Sequence, residues 1–600
     1  MKGDKIMKKY ILSLLTCILL IPAFTTCNML DEVNYGSPTK EELTADESSV
    51  VLMVGQAYAD VKWLHDHWGY WGVNLLTADE GVCPVRMPGT HWSDAGYWRN
   101  LNTHSWNKFG KAFENIWNTT NSGAILCNKL IMTLDSCQNV MSPAVYHQYK
   151  SELVCLRSYY YFMLFDCFGR IPYMEKFEKA KAKPLMEPYM VWAHLIMNLE
   201  EAAKELPAVG TDVSAKEYYG RCSKAFAYTL LARLYLNAPS YKSTADGAPE
   251  FIDALLADEQ AMHLLDSVGV NIASETDFYT NAARCCEEII SGRAGKYEIE
   301  QNYFSNFKIS NQDSKENIFV IVEDGRANFD YRDYAGSMAN KLRITMLSLH
   351  YNHQNTWNLI EKPWNGFCAR PAFIRRYNEE DVRGPGNEGK GTNNTKQWGW
   401  FVGPVYDAAG KTIQKDENDT TVIIVADAPA MNSSNWLDNA TWNDGARMFK
   451  YEIDKSASYK FCENDFVLFR LADVYWMNEE AIKRGGQGSS HLADAAFQTI
   501  MARAFAYSGG SEDECVAKFK EAYGDPSGWT LEELCDERGR EFAWENLRRR
   551  DLIRFGQFES IQYVEQKQKN RRWFPIPYKV LENAERDEQG MAIWTQNPGY

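Results

Sequence analysis

The 600-residue chain contains no CxxC pair, no HExxH, no GxSxG and no phosphate-binding P-loop. Structural zinc, zincin-type proteolysis, serine-type ester hydrolysis and P-loop nucleotide chemistry are left without the spacings they require. Long basic stretches are also missing, and the formal net charge is −16. Nucleic-acid affinity comes mainly from neutralised phosphates, so no nucleic-acid partner is expected. The one tight basic run, Arg548-Arg549-Arg550, sits among Glu537, Glu541, Glu545 and Asp551 and reads as internal pairing. Past the N-terminus no segment approaches the about 18 apolar residues of a membrane span. The 14 cysteines are scattered. Several, such as Cys155 and Cys167, lie in apolar helical runs, where cysteine behaves as a small hydrophobe.

Other partial motifs fail on context. GPGNEG at 384–389 matches G-x-G-x-x-G, but it follows NEEDVR and leads into KGTNNTK, with neither a strand before it nor a helix after it. Glu537, Glu541 and Glu545 fall at helical spacing, as a glycosidase pair would. Arg538, Arg540 and Arg548 interleave with them, so ion pairing along the helix is the simpler reading. His65 and His67 at i,i+2 point apart on a helix, and His350 and His353 lack an adjacent acidic or cysteine ligand. The chain reads as a non-enzyme; no cofactor is expected and a structural calcium is not indicated.

What the sequence does contain begins with LSLLTCILLIPAFTTCNMLDE at 12–32. No charge occurs from Tyr10 to Thr26, and Lys2, Lys5, Lys8 and Lys9 precede the run. A positive start, a short apolar middle and a polar end describe a secretory signal. A cysteine at its boundary, followed by Asp31 and Glu32, is where bacterial lipoproteins receive their lipid. Residues 1–26 are therefore read as signal peptide, Cys27 as the lipidation site and 27–47 as a polar tether, with no other membrane attachment expected.

Helical periodicity runs with interruptions from about Ser48, and four segments are clearest. They are SELVCLRSYYYFMLFDCFG, RCSKAFAYTLLARLYLNAPS, DFVLFRLADVYWMNEEAIKRGG and LEELCDERGREFAWENLRRRDLIRFG, closed by Gly169, Asn237 with Pro239, Gly485-Gly486 and Gly556. Paired small residues such as Ala225, Ala227 and Ala232 predict stacked hairpins of the tetratricopeptide kind. The expected class is mostly α, with a helical region over 48–300, a loop-rich region with short strands over 301–455, and a C-terminal helical region over 456–600. NIFVIVE and TTVIIVA are the strand-like runs of the middle.

Aromatics are abundant, with 19 Trp, 33 Tyr and 28 Phe. Those among Gly, Asn, Asp and Ser have no periodic core face to receive them. DEGVCPVRMPGTHWSDAGYWRNLNTHSW at 79–106 holds Trp92, Tyr97 and Trp98 beside Arg86 and Asp94. NTWNLIEKPWNGFCARPAF offers Trp357, Trp364, Asn365 and Arg370, and KQWGWF offers Trp398 and Trp400. Apolar faces set among hydrogen-bonding side chains suit a sugar, whose ring faces stack while its hydroxyls bond. The candidate glycan-binding residues are Trp92, Asp94, Tyr97, Trp98, Arg86, Trp364, Asn365, Trp357 and Trp398.

The blocks ELVCLRSYYYFMLFDCFGRIPY, KAFAYTLLARLYLNA, FRLADVYWMNEEA, ERGREFAWENLRRRDLIRFG and the ending FPIP…QNPGY occur in order along the chain, after Cys27-Asn28-Met29-Leu30-Asp31. In these the chain resembles the SusD/RagB family of outer-membrane nutrient-binding lipoproteins of Bacteroidetes. Asn546 stands where that family's pattern usually has glycine. The resemblance implies four tetratricopeptide-like hairpins beneath a loop-rich binding region and a role without catalysis. It also implies display on the outer membrane as a lid over a SusC-type TonB-dependent transporter, capturing oligosaccharides or, as in the RagB branch, peptides. The matching blocks are scaffold, so the site residues above rest on local chemistry alone.

Overall fold

The computed structural model describes residues 44–178, 183–211, 217–323, 344–386, 397–413, 422–455 and 462–600. The signal segment and Cys27 lie outside them. Long helices pack on their sequence neighbours: Lys111–Ser136 on Pro143–Phe168, and Pro188–Glu205 on Lys224–Asn237. Glu275–Ile290 packs against both Lys224–Asn237 and Leu471–Lys483, and Ala495–Arg503 pairs with Glu512–Tyr523. Local chemistry sets the starts. Ser142 and Ser223 cap Val145 and Phe226, while Ser511 with Glu514 and Thr530 with Glu533 form capping boxes. Ala225, Ala227 and Ala232 are fully buried where neighbouring helices approach.

Two of the four helical expectations need correction. Phe466–Arg470 is a strand, antiparallel to Asn317–Ile321, and the helix begins only at Leu471. Both strands are buried on both faces, so the apolar run carries no alternation to betray it. The ERGREFAWENLRRRDLIRFG segment is two helices, Leu531–Glu541 and Arg548–Arg554, parted by a turn in which Trp544 and Asn546 take φ of 64° and 65°. That turn is held by Glu80, which accepts the Trp544 backbone N–H at 2.8 Å and whose carbonyl accepts the indole N–H at 3.1 Å.

One hydrophobic core runs from Val50 to Ile576, and the middle of the chain adds a second cluster around Trp357, Trp398, Phe401 and Phe449. Strands there are short: Ile423–Ile424 pairs with Gly403–Pro404, and Trp400–Phe401 lies between Pro385–Gly386 and Arg447–Met448. Among the described residues no helix is long and apolar enough to cross a membrane.

The acidic face expected on the 537–545 segment is interior. Glu537 and Glu541 are fully buried, and Glu545 lies beyond the helix end. Arg383 reaches Asp381, Glu537 and Glu541 at 2.7, 2.6 and 2.8 Å. Arg470 reaches Glu316, Glu541 and Glu545 at 2.9, 2.7 and 2.8 Å, and Arg503 reaches Glu541 at 2.7 Å. Apart from Arg540 on Glu537 at 2.8 Å, these partners come from distant segments rather than the same helix. Arg548 pairs with Asp79 at 2.7 Å, and Arg549 and Arg550 pair with Asp166 at 3.4 and 2.5 Å, so the basic run is internal.

Candidate binding site

Three segments distant in sequence build the site. The first is KWLHDHWGYWG at 62–72, where the Asp66 carbonyl accepts the N–H groups of Gly69 and Gly72 at 3.0 and 3.1 Å. The Asp66 carboxylate accepts the Trp68 N–H at 2.9 Å. A Cβ on Gly72 would stand 1.9 Å from the His67 carbonyl oxygen, so the turn closes only on glycine. His67 and Trp68 are thereby presented on one side.

The second segment is the loop before the Tyr97–Asn102 helix, in which Trp92, Asp94 and Ala95 all have positive φ (65°, 36° and 53°). Left-handed backbone at non-glycine residues costs on the order of 1–3 kcal/mol each and persists where surrounding contacts impose it. Here the Trp98 indole N–H donates to the Asp94 carboxylate and the Trp92 indole N–H donates to the Trp364 carbonyl at 3.1 Å. The third segment, 351–366, brings Trp364 alongside. A Cβ on Gly366 would stand 2.3 Å from the Trp92 indole, so that close approach needs glycine.

The result is an open pocket of about 400 Å³. Its floor is His67 with Trp98, its walls are the half-buried indoles of Trp68, Trp92 and Trp364, and its rim carries His91, Asp94, Tyr351 and Lys362. The rings are tilted against one another: Trp92 and Trp364 lie 5.7 Å apart at 43°, and Trp92 and Trp98 lie 6.3 Å apart at 59°. Cations flank the aromatics, with Lys111 Nζ 5.0 Å from the Trp68 ring and Lys362 Nζ 4.5 Å from the Tyr351 ring. Apolar faces at several inclinations with polar groups between them fit a pyranose, which is apolar on its faces and hydroxylated at its edge.

Of the nine residues offered from sequence, Trp92, Asp94, Trp98 and Trp364 line this pocket. Tyr97 stands behind it, stacked on Trp68 at 5.0 Å, its hydroxyl accepting the Ala112 N–H at 3.1 Å. The other four are elsewhere in role or in place. Arg86 is buried and donates to the carbonyls of Thr441, Asp444 and Gly366. Asn365 is fully buried, bonded to Arg447 and to the Trp442 carbonyl. Trp357 and Trp398 belong to the second hydrophobic cluster, where packing of the loop region leaves them no open face. Arg370 and Trp400 are likewise buried, Arg370 fastening the carbonyls of Gly81, Leu76 and Asn102.

The sequence offered His67 only as half of a metal pair, and Trp68, Tyr351 and Lys362 were not among its candidates. The signal for Trp68 was present: 62–72 has the same mixture of tryptophan, glycine and aspartate that singled out 79–106. Of the metal pairs considered, His65 bonds Asn546 at 2.7 Å, and the Nδ1 of buried His353 accepts the His350 N–H at 3.0 Å. Among the described residues no group of three or more His, Cys, Asp or Glu is set to hold a metal. The first glycines of GPGNEG lie at a short strand, with Gly386 packed beneath the Trp398 ring; residues 387–396 are outside the described set.

Two family models match the chain in order. One described as "Starch-binding associating with outer membrane" covers residues 83–236, and one described as "SusD family" covers 315–572. The starch-binding protein SusD of Bacteroides thetaiotaomicron is 24% identical over 436 residues, a match that takes in 69% of this chain and spans 65% of that protein's length. Surface glycan-binding protein A of the same species, solved with laminarihexaose, superposes with a TM-score of 0.62 at 20% identity, covering 92% of this chain and 99% of that one. A SusD superfamily protein of Parabacteroides distasonis gives 0.62 at 15% identity, again over 92% and 99%. At these identities the structural likeness speaks for the fold, mostly helical with a loop-rich cap, and the matched models speak for the lineage. The chain belongs to the SusD/RagB family.

Proposed function

We propose that this chain is a glycan-binding lipoprotein of the cell surface, tethered through Cys27, which captures oligosaccharide for a SusC-type TonB-dependent transporter in the outer membrane. The observation that carries this reading is the pocket itself: three half-buried indoles at mutual tilts, with a polar rim and floor. The relatives' names, which speak of starch and of laminarihexaose, support the ligand class. The proposal is of binding without turnover. The carboxylates that a hydrolytic reading would need, Glu537, Glu541 and Glu545, are ion-paired inside the core, away from the pocket.

A single shallow site binding at ~1 mM gains only about −4 kcal/mol. Repeated engagement along one polymer, or closure over the transporter, then raises the effective capture. Native-gel retardation of the chain from residue 28 onward, against starch, laminarin, fructan, mannan, xylan, pectin and mucin glycans, tests the reading. Retardation by a polymer, lost in Trp92→Ala and Trp364→Ala with the fold retained, is the expected result. Binding of peptide mixtures with no retardation by any glycan would replace it with the peptide-uptake alternative.

A further inference from the structure

Resting on the glycan reading above, we infer that His67 hydrogen-bonds a ligand hydroxyl at the pocket floor, so that the site takes glycans presenting an unsubstituted hydroxyl edge there. His67 is 2% exposed yet lines the pocket. Its ring is encircled by Trp68, Trp92, Trp98, Trp364 and Phe367, with centroids 5.8–6.3 Å away. Nδ1 lies against the neighbouring Asp66 carboxylate but outside hydrogen-bond geometry. Nε2 has no hydrogen-bond partner among the described residues. Asp66 itself is fixed by the turn N–H groups, so it holds the ring edge and cannot swing to serve the other nitrogen.

Nε2 has no partner among the described residues, so a ligand hydroxyl entering the pocket can complete that bond. The Trp92 indole N–H is already spent on the Trp364 carbonyl, and the Asp94 carboxylate, at the exposed rim, takes the Trp98 indole N–H on one oxygen. The imidazole is thus the group at the floor able to read the edge of a sugar whose faces lie on the walls. A hydroxyl both donates and accepts, so the bond forms with either imidazole tautomer. A methyl or acetyl group on that oxygen removes the hydroxyl donor.

The test is calorimetric titration and native-gel retardation with whichever of the seven glycans retards the wild-type chain, and with its O-methylated derivative. His67→Phe keeps an aromatic ring at the floor but removes the hydrogen bond; His67→Gln restores an amide near the Nε2 position. The expected result is at least a tenfold loss in His67→Phe with unchanged melting temperature, partial recovery in His67→Gln, and failure of the O-methylated polymer on the wild-type chain. If His67→Phe binds as wild type while Trp92→Ala does not, the inference is overturned and the aromatic site stands. If His67→Phe does not fold, the O-methylated polymer decides: binding equal to the parent overturns the inference. Absence of any glycan binding by the wild-type chain would remove the glycan reading and this inference together.

Discussion

Trp92 shows how one ring is placed by chemistry that no single segment contains. Its φ is positive, its indole N–H is spent on the Trp364 carbonyl, and its ring fills the space that a side chain at 366 would need. Gly366→Ala should therefore push the indole off the wall and weaken glycan binding about tenfold, or ~1.4 kcal/mol, although the added methyl touches no ligand. Titration alongside Trp92→Ala checks this: similar losses support the account, and wild-type affinity in Gly366→Ala refutes it. Ala95, at φ 53°, makes the opposite prediction for stability. Ala95→Gly relieves a left-handed alanine and should raise the melting temperature, by the equivalent of about 0.5–1 kcal/mol. Of these features, only the residue types were visible in the sequence. Trp92, Trp98 and Trp364 stood out because they sat among turn formers. Trp357 and Trp398 stood out for the same reason, yet they plug the second hydrophobic cluster, because loops this long need a core of their own.

At the scale of elements, the long helices were legible because period, caps and stops agree. Ser142-Pro143 opens a helix that runs to Phe168, and Ser223 opens one that runs to Asn237. The misread boundaries lie where a tertiary partner overrides a local pattern. Arg470 ends a strand because its side chain must reach Glu316, Glu541 and Glu545. The 531–556 pattern breaks because Glu80, far away in sequence, claims the Trp544 N–H. That Glu80 carboxyl carries a pH prediction. Burial pushes it up to about 8, against the pull of the Trp544 N–H and with help from the Asp79 charge. A folded-state value above the unfolded one means the stabilisation is full below about pH 4.5 and is lost as pH rises toward 8. Glu80→Gln, which keeps the acceptor for Trp544, should flatten the fall in melting temperature between pH 5 and 8; a slope equal to wild type would show that Glu80 does not control it.

Across the whole molecule, buried arginine–carboxylate contacts join parts of the chain that sequence places hundreds of residues apart. Arg470 has three carboxylate partners, all buried, so Arg470→Met should cost about 3–5 kcal/mol by leaving charges uncompensated. A denaturant midpoint near wild type would contradict that. Acid acts on the same contacts. Against the upward push of burial, Arg554 and Arg484 hold Glu480 down to about 2, so its contribution is complete above about pH 4.5 and disappears as pH falls toward 2. The pairs also impose an order in time. Among the described residues Asp166, in the interior of the second long helix, meets its cations only at Arg549 and Arg550, whereas Asp79 has Arg376 as well as Arg548. A chain emerging from its N-terminus can form the early helices, but it cannot bury Asp166 as a paired ion until the segment carrying Arg549 and Arg550 has appeared. The segment around Arg549 and Arg550 is then a latch of the fold: chains cut before it should stay open to proteases, and only chains that include it lock shut.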